Sequence, residues 1–79
     1  MEIKVVGFQE VDYISKKTGD HVEGVSVHYL YNESHTQGNA TDTVFVGKGR
    51  NNPFEIGKRY NISYNRWGRM DLDNVKLLG

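Results

Sequence analysis

The chain has 79 residues, 37% of them hydrophobic, with no cysteine and a formal net charge of zero. Such a length supports one small core; the lack of cysteine excludes disulfides and thiolate metal sites, and neutrality argues against a bulk polyelectrolyte binder. No apolar run approaches the ~18 residues of a membrane span and the acidic start, MEIKVVG, does not read as a signal peptide, so a cytoplasmic protein without membrane association is expected.

Charge is nonetheless uneven. Residues 1–34 hold three lysines against six carboxylates, and residues 35–79 hold seven cations against four. Every arginine lies in the second part, which points to a local surface for an anionic partner.

In chain order, Ile3, Val5, Phe8, Val11 and Tyr13 mark a first strand with an irregularity near Gly7. SKKTGD (15–20) is a turn in which Gly19 supplies the permissive backbone. HVEGVSVHYLY (21–31) alternates, with Val25, Val27, Tyr29 and Tyr31 on one face and Ser26, His28 and Leu30 on the other. Gly24 inside that run predicts a bulge or a sharp coil. The polar stretch 32–42 is a loop, and TVFVGKG (43–49) is a short strand ending at glycines. Around Pro53 the chain is irregular, with Phe54 and Ile56 expected to plug the bottom of the core. Tyr60, Ile62 and Tyr64 recur at period two. Met70 and Leu72, then Val75 and Leu77, form the last apolar series, with a slip at Asp73-Asn74 that predicts a bulge. No useful 3.6-residue periodicity is present. The expectation is a single all-β domain over residues 1–79: a small five-stranded OB-like barrel first, an SH3-like barrel second, closed or nearly closed, since closure removes the edges that an open sheet would expose.

Nothing in the pattern reads as catalytic. His21, His28 and His35 are spaced seven apart on strands and a loop, which does not bring three imidazoles together. Asp71 and Asp73 have no second acid cluster to face them, and there is no nucleophile with its base and no phosphate loop. No enzyme, metal or cofactor is expected.

A single-strand nucleic-acid interface needs cations for phosphates and aromatic faces for bases. Arg66, Trp67 and Arg69 share one hairpin tip, Lys48 and Arg50 bracket Gly49, and Lys16 and Lys17 occupy the first turn. Guanidinium groups also stack, so Arg66 and Arg69 have two uses. Trp67 has three candidate partners: a base, a neighbouring subunit, or the end of its own barrel. The tyrosines on the inward faces read as core. The rival reading is a protein-interaction module in which Trp67 and the tyrosines hold a peptide or another copy.

The order of these features resembles the filamentous-phage gene V type of helix-destabilising, single-stranded DNA-binding protein. The matching parts are the basic turn SKKTGDHVEG, the tyrosine-rich VSVHYLY, the strand TVFVGKG, the segment NNPFEIGKRYNIS and the terminal hairpin NRWGRMDLDNVKLL. The closest similarity runs from Gly57 to Leu78. The resemblance implies a five-stranded OB barrel and a symmetric homodimer. It implies cooperative coating of single-stranded DNA without sequence preference, with RNA left open, in the replication of a phage or mobile element inside a bacterial host. Lys16 and Lys17 match the family's basic wing, Trp67 its hairpin aromatic near the dyad, and Lys76 a basic position on the last strand. Val22 and Asn74 depart from the family's aromatic and arginine at those places. With no net charge, the affinity expected is modest and strongly reduced by salt.

Overall fold

The computed structural model describes residues 1–79. It has five strands: β1 (Glu2–Ile14), β2 (His21–Tyr31), β3 (Ala40–Gly47), β4 (Arg59–Asn61) and β5 (Lys76–Leu77), with a 3₁₀ turn at Leu72–Asn74. All pair antiparallel in one sheet, in the order β3-β2-β1-β4-β5. The all-β, five-stranded expectation holds.

Period-two alternation builds the core. The register places Ile3 opposite Tyr31, Val5 opposite Tyr29 and Phe8 opposite Val27, so side chains on both strands share one face. Between Val5 and Gly7 the register shifts. This is the irregularity expected near Gly7; Val6 is the extra residue, and the shift keeps Phe8 in phase with Val5. Ile3, Val5, Val27, Tyr29, Val46, Phe54, Tyr60 and Ile62 are buried together, with Val25, Tyr31, Val44, Met70, Leu72 and Val75 packed around them. The Phe54 ring meets Tyr60 edge-on, centroids 5.1 Å apart. The Tyr60 hydroxyl, otherwise stranded in the core, accepts from the Glu55 N–H at 2.6 Å.

Several expectations are corrected. β3 begins at Ala40, three residues early, because Ala40, Thr41 and Asp42 pair with Tyr31, Leu30 and Tyr29 despite their polarity. Ile56 does not plug the core; it is 58% exposed, since the chain turns at Gly57 (φ 88°) immediately after it. Tyr64 is on the surface rather than in the core, because β4 ends at Asn61. The slip at Asp73-Asn74 is a 3₁₀ turn, not a bulge: Asp71 caps it, accepting from the Asp73 N–H at 3.1 Å and from Asn74 Nδ2 at 2.6 Å. Gly24 interrupts neither register. A Cβ there would lie 2.4 Å from the Val46 carbonyl oxygen and 2.7 Å from the Phe45 ring, so Gly24 serves the close coil of β2 against β3 and seats the Phe45 ring.

The sheet does not close into a barrel. β3 and β5 are its edges, and the gap beside β3 is spanned by side chains instead. Arg50 Nη2 donates to Asp73 Oδ1 at 2.9 Å. Closure by hydrogen bonds would need a longer last strand than Lys76–Leu77.

Candidate nucleic-acid interface

The basic aromatic tip is built by its turn residues. Gly68 N–H donates to the Asn65 carbonyl (3.0 Å) and Asn65 N–H to the Arg69 carbonyl (2.7 Å). Gly68 sits at φ 75°, which closes a three-residue hairpin loop of the type I plus bulge kind. Asn65 Oδ1 accepts from the N–H groups of both Trp67 (3.0 Å) and Arg69 (3.1 Å). With the tip fixed this way, Trp67 stands 70% exposed. The Arg66 guanidinium lies 4.5 Å from the indole ring centroid, a cation–π arrangement that holds one ring face and leaves the other open. Trp67 does not cap the end of its own sheet.

Beside the tip, Arg69 and Arg50 line a cleft between β3 and residues 64–73. Tyr64 forms an isolated bridge with Met70 at its rim. Burial pushes the Tyr29 phenol well above its ordinary range, and the neighbouring Tyr64 hydroxyl adds to this. Tyr31 is also raised, by burial first and then by Glu33 and Asp42. Both phenols therefore stay neutral and contribute no charge.

Lys16 and Lys17 lie elsewhere. The β1–β2 ribbon runs past both its neighbours: β4 pairs only with Glu2–Lys4, and β3 stops at Gly47 opposite Gly24. What remains is a two-stranded wing carrying the lysine turn, which Gly19 (φ 74°) closes. Ile14 is ten residues beyond Lys4, so the turn stands roughly 30 Å along the ribbon at about 3.3 Å per residue. His21 on this wing bonds to the Asp12 carboxylate. That bond, and then the carboxylate's charge, hold the His21 pKa above its usual value. His28 instead meets Gln9 at 3.3 Å on the opposite face of the sheet, and His35 is in the loop after β2.

The structure divides the sequence-predicted cations. Lys48 is bound to Glu23 (3.1 Å) and Arg50 to Asp73 (2.9 Å), so part of their charge is already answered. Lys16, Lys17, Arg66, Arg69 and Lys76 are exposed and make no salt bridge. Arg66, Trp67 and Arg69 come together; Lys16 and Lys17 form a second, separate basic point; Lys76 lies on β5 opposite Asn61.

Phe45 and Tyr13 add exposed aromatic surface outside the residues expected to form the site. Register puts Phe45, Ser26 and Gln9 in one row, and Tyr13 opposite Val22, all on the face away from the core. Phe45 is 44% exposed. Its signal was present: Val44 and Val46 point inward, so Phe45 must point out.

Compared with family models, curated proteins and solved structures, the chain matches none.

Proposed function

We propose that this protein binds single-stranded DNA without sequence preference. Bases would stack on Trp67, and phosphates would be met by Arg66 and Arg69 at the tip and by Lys16 and Lys17 on the wing. The observation that carries the reading is the exposed indole with a guanidinium already stacked on it, at the end of a rigidly bonded turn. A large aromatic in water is a poor choice for folding and a good one for a base. Phe45 and Tyr13 offer further stacking faces on the outer sheet, away from the carboxylates of Glu10, Asp12 and Glu23 on the inner side of the wing. Lys48 and Arg50 contribute only when their acids release them. The reading includes a homodimer acting on the single strand of a phage or mobile element, as the resemblance to the gene V type implies.

Trp67 is the only tryptophan, so it reports on its own contact. Titrating the protein with an oligothymidine at low salt is expected to quench its fluorescence, with the quenching reversed by added salt. No change in intensity or wavelength at low salt overturns the reading. Repeating the titration with oligouridine tells whether the 2′-hydroxyl is tolerated.

A further inference from the structure

The open sheet leaves β3 without a partner on its outer side. The Lys48 N–H donates to the Glu23 carbonyl at 2.9 Å, and bonded pairs alternate along an antiparallel ladder. Followed back along the unbroken β2–β3 register, this parity commits the main-chain groups of Ala40, Asp42, Val44 and Val46 to β2. Those of Thr41, Thr43, Phe45 and Gly47 turn away from it. On that side a cleft of about 640 Å³ separates β3 from residues 64–73. Val44, Met70 and Leu72 line it, each packed against the core yet only half buried. A free strand edge beside half-covered apolar side chains is the geometry that strand addition uses.

Charge decides which strand fits. The acids of the cleft are Asp42, Asp71 and Asp73, and its cations are Arg50 and Arg69. Arg50 is engaged by Asp73, whereas Asp42 forms no salt bridge. A polyanion gains nothing beside Asp42 and Asp71; a lysine or arginine does. Asp42 shares its face with Val44, since they lie opposite Tyr29 and Val27, so the cation must alternate in step with the apolar residues of the incoming strand.

We propose that this cleft takes an extended segment of a partner protein, apolar and basic on one face, as an added strand on β3. Asp42 Oδ1 accepts from the Thr43 N–H at 2.7 Å in the free protein, covering one donor of the bare edge. The incoming cation draws the carboxylate away, and a carbonyl of the segment takes the released N–H. The site borders the Trp67 tip and shares Arg69 with it, but its strand edge and Asp42 lie outside the tip, so it stands whether or not DNA binds there.

The test is amide hydrogen exchange followed by NMR, using the peptide acetyl-Thr-Val-Thr-Val-Thr-Lys-Thr-amide and its analogue with glutamate for lysine. The lysine peptide is expected to slow exchange at Thr41 and Phe45, and the glutamate peptide to require a several-fold higher concentration for the same protection. In Asp42→Lys, whose changed side chain is exposed, that preference is expected to reverse. No slowing at Thr41 and Phe45 with either peptide overturns the proposal. So does slowing at Thr41 when oligothymidine replaces the peptide. Slowing that rises with protein concentration alone also overturns it, because a second copy then fills the edge.

Discussion

At the scale of single residues, the two glycines and the asparagine that shape the surface are under different constraints. Gly68 is needed for its backbone, at φ 75°, and Gly24 for its missing Cβ. An alanine at Gly24 must push the Val46 carbonyl, which is backbone, and lift the Phe45 ring. Gly24→Ala is therefore expected to destabilise by about 1–3 kcal/mol, as overpacking does, read as a lower denaturation midpoint at unchanged slope. Asn65 acts on the tip alone. Its Oδ1 accepts two main-chain N–H groups, so Asn65→Ala is expected to cost about 1 kcal/mol. Because it loosens the turn that presents Trp67, it should also weaken oligothymidine binding while leaving the indole in place. Equal binding by wild type and Asn65→Ala would show that the turn's rigidity does not matter to the contact.

Among the elements, the irregular segment before β4 and the β1–β2 wing make opposite demands. Phe54 is buried against Tyr60 and Ile56 is out in water, two residues apart. The expected costs diverge accordingly: about 3–5 kcal/mol for Phe54→Ala and within ~0.5 kcal/mol for Ile56→Ala, measured by denaturant unfolding. Hydrophobicity and spacing place both in the core, because neither can see a backbone that reverses at Gly57. The same limit hid the 3₁₀ turn at Leu72–Asn74, whose cap is a side-chain bond from Asp71 and not a periodicity. The inward face of β2 is legible from Val25 to Tyr31, where every second residue is apolar, whereas on β1 Glu10 faces Val25 and the apolar Val11 and Tyr13 fall on the outer face. On the wing, the bond to Asp12 and then the carboxylate's charge raise the pKa of His21. A folded-state pKa above the unfolded value means the pair stabilises fully below about pH 6.5, and the contribution fades as pH rises through the folded pKa. NMR titration of the imidazole is expected to show a raised His21 midpoint that falls back toward the ordinary value in Asp12→Asn. A midpoint unchanged by that substitution would mean the carboxylate is not its cause.

Taken as a whole, the molecule is a sheet whose ends approach without joining, and this shapes how it can hold an anion. Neutral overall, it has no long-range pull on DNA; of its seven exposed cations outside any salt bridge, the five assigned to the interface stand at three places. Composition revealed the cations but not their partners, because Lys48–Glu23 and Arg50–Asp73 join residues 25 and 23 positions apart. The distinction has a measurable consequence. For single strands the salt slope is about 0.7 per phosphate neutralised, so contacts by Lys16, Lys17, Arg66, Arg69 and Lys76 together would set a limit of about −3.5 per chain in log affinity against log salt. Counting Lys48 and Arg50 as well would raise the limit to about −5. The tip holds only two of these cations, and a strand engaging the tip alone would give about −1.4. Measured slopes for wild type, Lys16→Ala/Lys17→Ala and Arg66→Ala/Arg69→Ala separate these cases. A wild-type slope near −3.5 that each double variant lowers by about 1.4 places one strand across both the wing and the tip. If the wing variant leaves the slope unaltered, the wing takes no part in the interface and the strand is confined to the cations at the tip and on β5.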